Sequence, residues 1–144
     1  MYDRILFPTD GSEGAEVAIE HAIALAELAG IPVHLLYVVD TTAARGTDAY
    51  AGISLDRLNA AGDEHLDAVR EQFESAAIDV TTEVVEGTPS TSIVEAATDG
   101  DLVVMGTHGR TGLDRYLIGS TTEKVVRTAD VPVVTVPVTD LDDG

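Results

Sequence analysis

Residues 102–128 read LVVMGTHGRTGLDRYLIGSTTEKVVRT, and three kinds of chemistry follow one another in that stretch. Leu102 to Met105 is a short apolar run, of the sort carried by a strand covered on both faces. Gly106, Gly109, Gly112 and Gly119 come next, and Gly119, Ser120 and Thr121 open a helix that runs to Thr128. A strand feeding a helix through a glycine-rich connection is half of a parallel crossover unit.

The same alternation recurs on both sides of this stretch. Arg4 to Thr9 (RILFPT) is an apolar run closed by Pro8, and Asp10, Gly11 and Ser12 supply turn and cap chemistry for a helix over 13–29 that Gly30 and Pro32 stop. Val33 to Val39 (VHLLYVV) is a nearly continuous apolar strand. Residues 41–53 lack periodicity and read as a long loop of the kind kept for binding or gating, or as a plain surface excursion. Leu55, Leu58, Gly62, Leu66, Val69 and Phe73 keep helical spacing. Asp79 to Glu86 is a more polar, β-branched strand expected nearer an edge of the sheet. Thr88 and Pro89 start a short helix through Ala97, and Val131 to Val138 (VPVVTVPV) is the last strand. The order βαβαβαβαβ predicts an α/β fold, a five-stranded parallel sheet with helices on both faces, in one domain over 1–144. In such sheets ligands sit outside the carboxyl ends of the strands, so the segments 8–12, 38–41 and 106–119 are expected to converge.

Composition narrows the function classes. A chain of 144 residues with 44% hydrophobic residues is long enough to bury its own core. The net charge is −18, from 26 acidic and 8 basic residues, which disfavours nucleic acid and anionic membranes as partners. No cysteine is present, so disulfides and thiolate metal sites are excluded. The amino-terminal residues have neither a secretory signal nor a spanning helix, and a cytoplasmic location is expected. The acidic skin, with one lysine beside seven arginines, is expected of a halophilic protein adapted to high salt.

Against that background the basic residues of the opening stretch are informative. Arg110, Arg115, Lys124 and Arg127 are half of all the basic residues and stand against Asp114 and Glu123 alone, a local +2. A helix start offers free N–H groups and a positive dipole end, and glycines let the backbone approach an anion closely. The Walker-type and G-x-G-x-x-G loops are both absent. What is present is Gly106-x2-Gly109-x9-Gly119-Ser120.

That spacing resembles the ATP-binding signature of the universal stress protein family. RILFPTDGSEGAEVAIEHA (4–22), LLYVVD (35–40) and VVMGTHGRTGLDRYLIGSTTEKVVRTADVPVVTV (103–136) are similar to the family's opening unit, second strand and closing third. The resemblance implies a Rossmann-like fold of the adenine nucleotide alpha hydrolase type, with ATP and Mg2+ as cofactors. It implies that Pro8, Thr9 and Asp10 form the first-strand turn, with Asp10 near ribose and phosphates and able to meet the metal ion. Val38 would read the adenine through its main chain. Met105 and Gly106 would line the ribose side, Gly109 and Arg110 would hold the phosphate loop, and Gly119, Ser120 and Thr121 the helix start. A homodimer joined through residues 131–138 follows from the same resemblance and from the exposed apolar strand.

Plainer roles stay open for several residues. Asp10 also suits a turn or cap, His108 either touches phosphate or packs in its loop, and Arg115 can pair with Asp114. His21, His34 and His65 have no metal-ligand spacing and read as structural or surface. The P-loop lysine is missing, there is no G-x-S-x-G elbow, and HxGH-like or SGGxDS-like motifs are absent. Nucleotide binding as a stress-response switch is therefore preferred over slow ATP hydrolysis or phosphotransfer in the same pocket, and over an interaction module without nucleotide.

Overall fold

Ile5 and Phe7 lie on one face of the strand β1 (Arg4–Thr9) and Leu6 on the other, and all three are buried. A strand that buries both faces needs cover on both, which is the arrangement of the computed structural model, whose described residues are 1–9, 15–41, 55–107 and 119–137. The elements follow in the order β1, α1 (Ala15–Ala29), β2 (Val33–Asp40), α2 (Leu55–Glu74), β3 (Val80–Gly87), α3 (Pro89–Ala96), β4 (Asp101–Gly106), α4 (Ser120–Thr128) and β5 (Val133–Val136). The five strands form one parallel sheet in the order β3-β2-β1-β4-β5.

Period-two alternation distributes the core between two layers. Ile5, Phe7, Val33, Leu35, Leu102 and Val104 meet Ala18, Ile19, Ala22 and Ala26 of α1 and Leu66, Val69 and Phe73 of α2. The alanines let α1 lie close to the sheet. Phe7 and Phe73 meet edge to face, with ring centroids 5.8 Å apart. On the other face Leu6, Leu36, Val103 and Met105 meet Ile93 of α3 and Val125 of α4. The expected layering of helices on both faces is what the packing delivers.

Local chemistry accounts for most boundaries. Gly30 ends α1 with φ +69°, and its N–H donates to the Ala26 carbonyl at 2.8 Å. Ala77 takes the same left-handed role after α2 at φ +63°, where no glycine is available. Pro89 occupies the first turn of α3 behind Thr88. β3, the strand expected near an edge, is one, and exposes Thr81, Thr82 and Glu83. β5 is shorter than the expected 131–138: it spans four residues between Pro132 and Pro137, each of which lacks the N–H that a ladder needs.

At the amino end of the sheet, β1 and β4 are tied by charge. Arg4 donates to Asp101 through Nε at 2.7 Å and Nη2 at 3.0 Å, and the Thr98 N–H donates to the same carboxylate at 2.9 Å. Asp101 is buried, 2% exposed, while Arg4 keeps contact with water. Burial pushes the Asp101 carboxyl up, but the Arg4 hydrogen bonds, the Thr98 N–H and the guanidinium charge together hold it below its ordinary value. The hydrogen bond to Asp101 in turn raises Arg4.

Candidate functional site

The strand order creates a topological switch point. From β1 the chain moves outward through β2 to β3, then crosses back to lay β4 on the other side of β1. The helices that follow β1 and β4, α1 and α4, therefore lie on opposite faces of the sheet, and the gap between these two strands at the carboxyl end is the position where ligands bind in open α/β folds. Among the described residues the pairing of these two strands is short. β1 pairs with β4 only from Arg4↔Asp101 to Leu6↔Val103, although β1 runs on to Thr9 and β4 to Gly106.

Pro8 and Thr9 form the β1 wall. Thr9 is buried, and its Oγ1 lies 2.8 Å from Nε2 of His65 on α2. His65 also stands beside the Tyr37 ring, with centroids 5.7 Å apart. Gly62, one turn earlier on α2, faces that same ring so closely that a Cβ there would meet Tyr37 Cδ1 at 2.7 Å. The small residue lets α2 approach β2, and the approach places His65 on the end of β1.

Val38 lies on β2 just past the last pair with β1, Thr9↔Tyr37, and remains paired with Val85 of β3. The Pro32 carbonyl accepts from Ile5 of β1, whereas the Val33 and Thr41 N–H groups donate to Asp79 and Gly87 on the β3 side. Even-numbered residues of β2 thus turn their main-chain groups toward β1, and Val38 does so where β1 ends. Its side chain packs with the α3 and α4 layer.

β4 supplies the opposite wall. Met105 is buried in the α3 and α4 layer, and its main chain belongs to the odd set that faces β5, as Val103 and Thr107 donate to Pro132 and Val136. Gly106 is the β4 residue whose main chain faces the gap, and its carbonyl accepts from Thr122 Oγ1 at 2.9 Å. The Gly119 N–H then donates to the Thr107 carbonyl at 2.6 Å. The two ends of the glycine-rich segment are clasped together at the mouth of the gap. Gly119 is the N-cap of α4 and has no side chain to cap it, with Ser120 exposed and Thr121 half-buried on the first turn. The first helical bond runs from Glu123 N–H to Gly119, so the N–H groups of residues 120–122 precede the helical ladder.

Asp10, His108, Gly109 and Arg110 lie outside the described residues. So do Arg115 and Asp114, and with them half of the positive charge read from the stretch. Arg127, on the exposed side of α4, pairs with Glu123 one turn away. Among the described residues no cluster of three or more His, Asp or Glu could hold a metal ion, and no helix is long and apolar enough to cross a membrane. Thr107 and Thr122 are residues at this end of the sheet that sequence reasoning did not single out, and His65, read as structural or surface, was not connected to it. Their hydroxyl and imidazole contacts depend on crossings between elements, and no local pattern encodes them.

The universal stress protein family model matches residues 1–137, nearly the whole chain. The chain belongs to the universal stress protein family. Universal stress protein MJ0531 of Methanocaldococcus jannaschii is 39% identical over 94% of this chain and 82% of its own. Universal stress protein MJ0577 of the same organism is 32% identical over 94% of this chain and 95% of its own. The solved structure of MJ0577 superposes with a TM-score of 0.85 over 97% of this chain and 99% of that one. More distant structures at 21% identity were solved in complex with cAMP (TM-score 0.73) and, for the protein of Archaeoglobus fulgidus, with dAMP (TM-score 0.66). These two bear on the fold alone, which in this universal stress protein is the five-stranded parallel α/β sheet expected from its sequence.

Proposed function

We propose that this universal stress protein binds ATP with Mg2+ in the gap between β1 and β4 and acts as a nucleotide-dependent stress-response switch. The observation that carries the reading is the clasp of Gly119 on Thr107, which brings both ends of the Gly106-x2-Gly109-x9-Gly119-Ser120 segment to the switch point of the sheet. There the uncapped start of α4 offers N–H groups and a positive dipole end to phosphate. Donors of this kind suit the charge of a phosphate chain. Ser120 and Thr121 add hydroxyls at the same turn, while Val38 turns main-chain groups to the far side of the gap, where they suit the edge of a base.

The metal ion fits as a companion of the nucleotide. Mg2+ is commonly held by one or two carboxylates plus substrate phosphates, and Asp10 directly follows the β1 wall residue Thr9. Gly106, whose main chain faces the gap, lines the ribose side, whereas Met105 supports it from the α3 and α4 layer without facing it. The roles of His108, Gly109 and Arg110 belong to the same proposal, as phosphate contacts within the segment. Binding rather than efficient turnover is favoured by the missing P-loop lysine. A switch requires only that ATP bind one state of the protein better than another. The family resemblance and the apolar last strand also support a homodimer through residues 131–138.

Calorimetric titration with ATP, ADP and AMP, with and without Mg2+, tests the reading, alongside identification of any nucleotide released on denaturing the purified protein. Saturable ATP binding strengthened by Mg2+ is expected. Absence of binding by all three nucleotides, together with no released nucleotide, would remove it. Steady ATP cleavage well above background would replace the switch with a slow ATPase.

A further inference from the structure

β1 is the central strand of the five, yet it contains Pro8, a residue that sheets ordinarily confine to edges and bulges. The direction of the main-chain groups identifies the bond it removes. Ile5 N–H donates to Pro32 on the β2 side, and Arg4 N–H points to Gly100 on the β4 side. Odd residues of β1 therefore direct their N–H groups at β2, and even residues at β4. On the β2 side Pro8 costs nothing, and the pairs Pro8↔Leu36 and Thr9↔Tyr37 are intact.

On the β4 side the last pair is Leu6↔Val103. Adding the next pair, Phe7 with Val104, requires an N–H at position 8 aimed at the Val104 carbonyl, and proline has none. The ladder stops at that bond. β1 continues its pairing with β2 to Thr9↔Tyr37, and β4 continues its pairing with β5 to Gly106↔Val136, while the pairing between β1 and β4 goes no further. Had the ladder continued, the two walls would stand about 4.8 Å apart, the spacing of hydrogen-bonded strands, which leaves no room for a ligand chain between them.

We propose that Pro8 is the positioning residue that splits the sheet: its missing N–H ends the β1–β4 ladder and holds open the gap that admits the nucleotide. The ligand in this proposal rests on the ATP-binding reading above; the split itself does not. Pro8→Ala restores an N–H at position 8, and Pro8→Val does so with a side chain suited to a strand, should the alanine variant fold poorly. Backbone amide exchange followed by NMR then reads the new N–H directly, and calorimetry with ATP and Mg2+ reads the gap.

The expected result is an amide at position 8 protected about a hundredfold or more against exchange, and ATP affinity lowered about tenfold or more, with a melting temperature no lower than that of the parent. Exchange at the rate of an unstructured amide in both variants overturns the proposal, because the ladder has not closed. Protection with ATP affinity within about twofold of the parent overturns it too, because the split does not then serve the ligand. A parent protein that binds no ATP defeats the nucleotide reading, and protection of the amide still decides whether Pro8 splits the sheet.

Discussion

Gly119 separates stability from ligand binding in a single residue. Its φ of −61° and ψ of 154° suit any amino acid, so nothing in the backbone requires glycine there. Aspartate would be among the best N-caps and would interact well with the helix dipole, but it would place a carboxylate where the proposal puts phosphate. Gly119→Asp is expected to leave the melting temperature unchanged or raise it by the equivalent of a few tenths of a kcal/mol, while ATP affinity falls about tenfold or more. A variant that binds ATP as the parent does would place the phosphates elsewhere. Asp101 behaves in the opposite way, as pure structure. Removing its charge leaves Arg4 without its partner, and Asp101→Asn should cost about 3 kcal/mol in denaturant unfolding, the low end for a broken buried pair because Arg4 retains contact with water. The pH sign follows from the depressed carboxyl of Asp101. Its contribution is complete above the unfolded-state pKa of about 3.9 and is lost as pH falls through the lower folded value. Acid unfolding of the parent should therefore steepen below about pH 4, and the Asn variant should lack that component. Gly119 was legible from its neighbours as the start of a helix, whereas the pair was not: Arg4 and Asp101 stand 97 positions apart and meet only because β4 is laid beside β1.

Among the elements, α2 carries the connection that sequence reasoning left out. Periodicity placed Leu55, Leu58, Gly62, Leu66, Val69 and Phe73 on one side; the last four are buried, whereas Leu55, on the first turn, is exposed and Leu58 half-buried. His65 breaks that apolar pattern and read as structural or surface, which is correct as far as it goes. Its bond to Thr9 became visible only once Gly62 had brought α2 onto Tyr37. Thr9→Val keeps the shape and removes the hydroxyl, and His65→Ala removes the imidazole. Each single variant should lose about 1 kcal/mol, and the double variant less than the sum, with a coupling of about 0.5–1.5 kcal/mol in urea unfolding. A coupling of zero would make the contact incidental. Strand identities were legible from composition because parallel strands read as apolar runs, whereas the end of β5 was overestimated, because valines outnumber the prolines that limit pairing. The gap at Pro8 is the deeper case. From sequence alone the proline marked the close of the first strand; its consequence depends on which neighbour its nitrogen faces, and strand order decides that.

For the whole molecule, charge is the dominant unbalanced quantity. A net charge of −18 on 144 residues makes the folded chain repel itself, since its acidic groups are more concentrated when compact than when unfolded. The described ion pairs offset little of this. Arg70 with Glu74 and Arg127 with Glu123 are exposed pairs one helical turn apart, each worth about 0.3–0.5 kcal/mol, and only Arg4 with Asp101 is buried at one end. Salt should act on the repulsion more than on the pairs, because about 1 M salt shortens the screening length to about 3 Å, well below the spacing of most surface carboxylates. Raising KCl from about 0.1 M to 2 M is therefore expected to raise the melting temperature by several degrees, most of it below about 1 M, where screening changes fastest. A halophilic adaptation of the acidic surface predicts a further rise beyond that range, so a scanning-calorimetry series in KCl discriminates simple screening from adaptation by where the curve flattens. A melting temperature that fails to rise at all would mean that the acidic surface is tolerated without strain, and that neither account describes it.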